Sequence, residues 1–195
     1  MKPSNDVIKS KILKATLPSV VFDGWTMELL NRAAVECGYQ EEMALSVFPR
    51  GVKDALGYFS RWADNEMLHA LEKNEAPARV REKIALAVRT RLEILAPHKE
   101  AERLAIAFWM RPVRKWEGAK LVWKTADVIW SWAGDTATDY NHYTKRALLG
   151  GVLTATALYW LSDQSAGHKD SWAFLDRRID NVLSIGKIVG RLKTA

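Results

Sequence analysis

The apolar positions of this chain recur at helical spacing, and no stretch shows the sustained period-two alternation with turn dipeptides that a sheet requires. From Val52 onward, Leu56, Phe59, Ala63, Met67 and Leu71 share one helix face. Beyond Pro77 a second stripe of Ile84, Val88, Leu92 and Leu95 is opposed by Arg81, Glu82, Arg89 and Glu93. All six prolines lie at or before Pro112, so the first part of the chain is cut into short segments, whereas the last eighty-three residues are free to form long helices. The pattern predicts a helix over residues 10–21, kinked at Pro18 and stopped by Asp23-Gly24, then one over 27–37, capped by Thr26 and ended by Gly38. A short helix over 40–48 follows, ended at Pro49, then one from Val52, one after Pro77 and one between Pro97 and Pro112. Three long helices, over about 113–133, 139–161 and 169–192, complete an all-α chain.

At 195 residues with 48% apolar side chains, the chain can bury a core without disulfide staples. It is expected to be one compact domain overall, with a helix-turn-helix-like subdomain over 1–60 and a helical domain over 61–195 for ligand binding and dimerisation. Cys37 is the one cysteine and cannot form an internal bridge, which fits a reducing compartment. The opening MKPSNDVIKS has no apolar region of the secretory kind. The uncharged run over 147–161 has fifteen residues, short of the ~20 that span a bilayer. The expected location is therefore cytoplasmic, with a peripheral seat on the inner face of the cytoplasmic membrane left open.

The formal net charge of +6 points to an acidic partner, either nucleic acid or an anionic membrane. Its placement is uneven. Residues 1–60 hold seven basic and seven acidic side chains, 61–130 hold fourteen and ten, and 131–195 hold eight and six. The line FDGWTMELLNRAAVECGYQEEMALSVFPRGVKDALGYF resembles the DNA-binding end of TetR-type regulators, with its Gly-aromatic-Thr entry, small-residue helix, Gly turn and Phe-Pro before a long helix. That resemblance concerns fold, and fold does not fix function. The helix in the recognition position, residues 40–47, opens with Glu41 and Glu42 and carries no cation. Two carboxylates suit the positive end of the helix dipole but are repelled by a phosphate-lined groove. Nucleic acid is therefore not the expected partner, and a TetR-type transcriptional regulator that binds DNA and a hydrophobic effector stands as the alternative reading.

Four of the nine tryptophans, Trp109, Trp116, Trp123 and Trp130, are spaced seven apart. Seven residues make two helical turns, so Trp116, Trp123 and Trp130 fall on one face of a single helix, while Trp109 lies across Pro112. Two readings compete: a core stripe, or the wall of an apolar cavity for a lipid-like ligand, with Leu149 and Leu153 on the next helix as further lining. Ala147, Gly150, Gly151 and Ala155 admit a close helix neighbour. A helix apolar on all sides must be buried on all sides, so a homodimer is expected.

Between these apolar helices, residues 134–146 gather two Asp, three Thr, two Tyr, an Asn, a His, a Lys and an Arg. Gly134 can stop one helix, and Asp135 or Asp139 can cap the next. Asp139, His142, Tyr143 and Arg146 stand at i, i+3, i+4 and i+7, with Ile129, Trp130 and Trp132 across the turn. Aromatic, charged and small polar groups on one rigid corner suit a protein-docking hot spot.

The stretch ADVIWSWAGDTATDYNHYTKRALLGGVLTATALYWLSD, followed by SWAFLDRRIDNVLSIG, is also similar to the C-terminal domain of the Coq-nine family, lipid-binding accessory proteins of ubiquinone biosynthesis. W-x-x-AGD, TDYNxYT-K/R-R and FLDRRIDNV occur in order. The resemblance implies a TetR-like dimer that binds an isoprenoid quinone precursor or another lipid and presents it to a hydroxylase of the pathway. It places the partner-facing patch on Thr138, Asp139, His142 and Tyr143, with Ile129 beside it and Arg146 on the same helix face by spacing. Mitochondrial members carry Trp where this chain has His142, and imidazole buries less apolar area and can titrate near neutrality. They also continue into an amphipathic helix that engages membrane. Here the tail SIGKIVGRLKTA has three cations, no acid and Ile185, Ile188, Val189 and Leu192, which suits either an anionic surface or a helix end favoured by its own dipole.

No catalytic constellation is complete. Glu66-Met67-Leu68-His69 is a single Glu-x-x-His where a di-iron bundle needs two, Asp139-x-x-His142 is a weak stand-in, and four His are widely scattered. There is no phosphate loop, nucleophile elbow or paired-Cys metal pattern. No enzymatic activity, metal or cofactor is expected.

Overall fold

The computed structural model describes residues 4–73, 75–136 and 140–192, with side chains for all of these except 140, 141 and 183–192. Among the described residues the regular structure is helical and no strand occurs. The chain forms two compact units, Met1–Glu66 with Ile94–Leu121, and Met67–Glu93 with Val122–Ala195.

The first unit opens with α1 (Asn5–Thr16), which starts earlier than the apolar pattern suggests because the Ser4 side chain caps it, accepting from the Val7 N–H at 3.4 Å. Pro18 does not merely kink this helix. It sits at the start of a 3₁₀ turn, Leu17–Ser19, after which the chain resumes as α2 (Val20–Asp23) and stops at Gly24 with φ 66°. The Thr26 hydroxyl caps α3 (Met27–Glu36) by accepting from the Leu29 N–H at 3.2 Å. Gly38 ends α3 at φ 80°, where Gly38 N–H donates to Val35 O and Tyr39 N–H to Ala34 O in the paired closure of a Schellman turn.

The next helix, α4 (Met43–Val47), is shorter than expected. Residues 40–42 form a turn whose bonds reach back only three residues, as in Met43 N–H to Gln40 O, and Glu42 provides no side-chain cap. Ile8, Ile12, Leu30, Ala33, Ala34, Ala44, Val47, Phe48 and Ala55 form the core on which α1, α3 and α4 cross. Ala33 and Ala34 of α3 and Ala44 of α4 are what allow that close crossing. α5 (Val52–Leu71) buries all five residues of its expected stripe, each 4% exposed or less. In α7 (Lys99–Trp109), the carbonyl of Ala101 receives the Trp25 indole N–H at 3.0 Å. Gly118, in the first turns of α8 (Lys115–Trp132), lies so near Trp109 that a Cβ there would stand 2.8 Å from the Trp109 Cβ.

In the second unit, α6 (Val80–Leu95) buries Ile84, Val88 and Leu92 as its stripe requires. α9 (Tyr140–Ser162) places Leu149, Val152, Leu153, Trp160 and Leu161 in the core, beside Ala126 and Ile129 of α8 and Leu175 and Ile179 of α10 (Lys169–Leu192). Within a single chain one side of α9 stays uncovered. Ala147, Gly151, Thr154, Leu158 and Tyr159 form an exposed strip on which Leu158 keeps 42% and Tyr159 37% of its surface. Arg81 of α6 clasps Asp180 of α10 through Nε at 2.8 Å and Nη2 at 3.0 Å, which gives Asp180 in the FLDRRIDNV motif a structural partner.

The connection from α9 to α10 turns on Asp163, 8% exposed, which accepts from the Ser165 N–H at 2.7 Å, the Ser171 N–H at 2.9 Å and the Ser171 hydroxyl. Burial pushes the Asp163 carboxyl up, but the bonds from Ser165 and Ser171 outweigh it and hold the group well below the ordinary carboxylate range. A carboxylate with a depressed folded-state pKa contributes stability above its unfolded value and loses it as pH falls. Replacing Asp163 by Ala should orphan the donors of fully buried Ser171 and cost about 1–3 kcal/mol at neutral pH. In urea titrations the gap between variant and wild type should be full above the ordinary value of 3.8 and shrink below it.

Candidate functional site

The polar junction is a corner between α8 and α9, built around one buried guanidinium. α8 ends in a Schellman closure with Gly134 at φ 91°, Gly134 N–H donating to Ser131 O and Asp135 N–H to Trp130 O. That closure turns the Asp135 side chain inward, where it keeps 6% of its surface. Asp135 therefore does not cap the next helix, as its position suggests. It holds Arg146 of α9, whose Nη1 lies 3.0 Å from Asp135 Oδ2 and whose Nε lies 2.6 Å from Asp127 Oδ1 on α8. Lys145 Nζ meets the other Asp135 oxygen at 2.6 Å, and Arg146 Nη1 also donates to the His142 carbonyl at 3.2 Å. The Trp130 indole N–H donates to the Lys145 carbonyl at 3.1 Å, with the Lys145 ammonium 5.4 Å from the Trp130 ring centre. From α6, Lys83 Nζ reaches the Ala133 carbonyl at 3.3 Å, a cation at the negative end of α8.

Burial works against the charge on Arg146, but the bonds to Asp127 and Asp135 raise its pKa above the usual guanidinium value, so it stays cationic. The two arms are unequal. Asp135 is 6% exposed and Asp127 47%, so water screens the Asp127 arm and the Asp135 arm dominates.

The sequence-predicted patch divides on this frame. Ile129 is 0% exposed and Arg146 3%, so neither presents a side chain to a partner, and both belong to the support. Tyr143 faces outward with 63% of its surface free, and His142 is half-buried beside it. Their rings meet edge-on at 5.2 Å, and Tyr143 leans on Trp123 at 6.2 Å. Thr138 and Asp139 lie outside the described residues. Asp127, Ser131, Asp135, Thr136, His142, Tyr143 and Arg146 line an open depression of ≈ 430 Å³. Asp127 and Lys145 went unassigned at the level of sequence, although Asp127 stands inside the ADVIW run and Lys145 directly precedes the arginine it assists.

The candidate lipid-lining residues also separate. Leu149 and Leu153 are core, and Trp123 and Trp130 are half-buried beside the corner. In the other unit Trp109 is half-buried against Phe108 and Gly118, while Trp116 is 73% exposed, so a continuous core stripe of indoles does not form. Among the described residues no group of three or more His, Cys, Asp or Glu is placed to share a metal ion, and Glu66 of the lone Glu-x-x-His faces Lys14 at 4.0 Å. No helix among them is long and apolar enough to cross a membrane.

Removing Arg146 strips the buried Asp135 carboxylate of the guanidinium that lies 3.0 Å from it. Arg146→Ala should therefore cost about 3 kcal/mol in chemical denaturation. Arg146→Lys should recover only part of that loss, because a single ammonium cannot reach Asp127 on α8 and Asp135 beyond its end as the forked guanidinium does.

Residues 116–186, which include this corner, match the family model described as COQ9. Over 199 residues the chain is 29% identical to the ubiquinone biosynthesis protein COQ9, mitochondrial, of Rattus norvegicus, covering 98% of this chain and 64% of that protein. The Homo sapiens counterpart is 27% identical, with 98% and 62% covered, and that of Drosophila melanogaster 30% identical, with 92% and 56% covered. The chain thus spans less than two thirds of the length of these relatives. In fold it is similar to a TetR transcriptional regulator from Nitrosomonas europaea, with a TM-score of 0.70 at 16% identity, covering 91% of this chain and 98% of the other. Over residues 116–186 the chain is thus similar to the COQ9 family model, and over most of its own length to part of the COQ9 proteins named for ubiquinone biosynthesis, on a fold like that of a TetR regulator.

Proposed function

We propose that this protein is a non-enzymatic accessory factor of ubiquinone synthesis that binds an isoprenoid quinone intermediate or similar lipid and presents it to a partner hydroxylase. The observation that carries the reading is the exposed Tyr143, with half-buried His142 beside it, held on a corner whose base is a buried ion pair. A rigid base lowers the ordering cost of docking, and an exposed Tyr braced by Trp123 offers a large contact at small conformational expense. The apolar wall for the lipid is assigned to Trp123, Trp130, Leu149 and Leu153 of the second unit. Burying a prenyl chain there is favourable by ~25 cal/mol per square ångström, which has to offset its removal from a bilayer. The exposed strip of Ala147, Gly151, Thr154 and Leu158 suits a second copy of the chain, since small residues let two helices approach closely.

The alternative, DNA binding by a transcriptional regulator, finds little in α4. Glu41 and Glu42 are exposed ahead of it, and its outward side chain Leu45 is 54% exposed and apolar.

Native mass spectrometry of the purified protein should reveal a co-purified hydrophobic molecule of quinone-precursor mass, and a clean apoprotein would count against lipid carriage. Tyr143→Ala combined with His142→Ala should reduce retention of the pathway hydroxylase about 100-fold, the loss typical of two hot-spot residues, with lipid content and melting temperature unchanged. Undiminished retention would remove the corner from the docking surface.

A further inference from the structure

The turn between α7 and α8 is left unexplained by the corner and by the lipid wall. Residues 110–116 read MRPVRKW, and three large apolar side chains stand out from them: Met110 66%, Val113 93% and Trp116 73% exposed. The turn is tightly wound, with Arg114 N–H and Lys115 N–H both donating to Arg111 O, at 2.8 and 3.1 Å, and Glu117 N–H to Arg114 O at 3.0 Å. In a backbone wound this way residues three apart are neighbours, so Val113 and Trp116 stand together as a tip, and Met110, at the C-cap of α7 before the turn, is exposed at its entrance.

Cations surround it. Arg111, Lys115 and Lys120 are exposed, Arg114 lies over the Phe108 ring at 3.8 Å, and the Lys115 ammonium stands 5.9 Å from the Trp116 ring centre. Glu117, one turn into α8, is paired with Lys53 and, at 3.4 Å, with Arg50, and of the cations just named it also feels the charge of Lys120. The fit of Gly118 against Trp109 fixes the turn to the end of α7.

We infer that this tip is a docking point for an anionic lipid bilayer, into whose interface Met110, Val113 and Trp116 insert while Arg111, Arg114 and Lys115 take the phosphate headgroups. Indole is the side chain best suited to the bilayer boundary, and a ring of Lys and Arg supplies attraction to acidic lipids. A nucleic acid would satisfy the cations but leave a protruding valine and methionine against phosphate with nothing to bury them. A folded protein partner of equal charge complementarity would need a concave acidic pocket for the same tip, whereas a bilayer needs none. The inference stands apart from lipid carriage, because it specifies where the protein meets a membrane whatever it carries.

The test is flotation of the intact chain with phosphatidylcholine vesicles, with and without about one-third phosphatidylglycerol. Wild type should float with the anionic vesicles and detach as salt rises. The double variant Trp116→Ser with Val113→Ser should reduce the partition coefficient about tenfold or more. Arg111→Gln with Lys115→Gln should lower it about fivefold for each cation removed. All four positions are exposed, and thermal melts read by circular dichroism should match wild type. Equal flotation of wild type with and without phosphatidylglycerol overturns the inference. So does undiminished flotation of both tip variants, which would move the contact to another surface such as the basic end of α10. Retention of a DNA duplex that these variants lose, with vesicle binding unchanged, would assign the cations to nucleic acid instead.

Discussion

The described C-terminal helices are organised by the pair between Arg146 and Asp135, two charges with 3% and 6% of their side-chain surface exposed. Neither charge can be buried alone, since an unpaired ion in that setting costs several kcal/mol. The requirement that they meet fixes more than their own positions. Asp135 can face inward only because Gly134 takes a positive φ and reverses the chain, and Arg146 can reach it only if α9 leaves the corner at the angle that sets Trp130 against the Lys145 carbonyl. Tyr143, one turn earlier on α9, is thereby fixed outward, with half-buried His142 beside it. An apolar corner of the same volume would be as stable or more so, but it would hold the two helices in register less uniquely.

Much of the fold was legible because helix periodicity and capping chemistry are local. The stripe from Leu56 to Leu71, the Thr26 cap and the Gly38 and Gly134 stops each depend on a few neighbouring residues, and each stands where those residues place it. The boundaries that moved did so for reasons equally local in structure but weak in sequence. Ser4 extends α1 by a cap ahead of any apolar residue, and residues 40–42 wind as a tight turn because no side chain caps a full helical start there. What could not be read was burial by three-dimensional pairing. Arg146 shares a helical face with His142 by spacing, yet its long side chain folds back to carboxylates nineteen and eleven residues away, so a residue expected at the surface became its foundation. Ile129, beside the expected patch by sequence, is fully buried.

The tryptophans show the same limit from the other side. A seven-residue repeat keeps residues on one face to within a drift of about 20° per heptad, so Trp116, Trp123 and Trp130 do run along α8 together. Sharing a face does not mean sharing an environment, because what covers that face changes along the helix. Near its end Trp130 has the Lys145 carbonyl to bond and Trp123 has Tyr143 to lean on, whereas at its first turn Trp116 meets solvent and a lysine. One periodic pattern thus supplies a ring for the exposed Tyr143 to lean on and an exposed indole at a cationic turn.

That division bears on how a carrier of a water-insoluble molecule must work. A prenyl chain held in protein is stabilised by the same apolar burial that holds it in lipid, so transfer between them has little net driving force and depends on shortening the path through water. A net positive protein is drawn towards acidic bilayers over a Debye length of roughly 8–10 Å, but diffuse attraction does not orient it. Orientation requires cations concentrated at one place with apolar side chains among them, and in residues 110–116 Arg111, Lys115, Val113 and Trp116 supply both. Part of the excess positive charge of residues 61–130, which a DNA-binding regulator would be expected to carry in its helix-turn-helix, thus lies outside that motif, at residues 111–115.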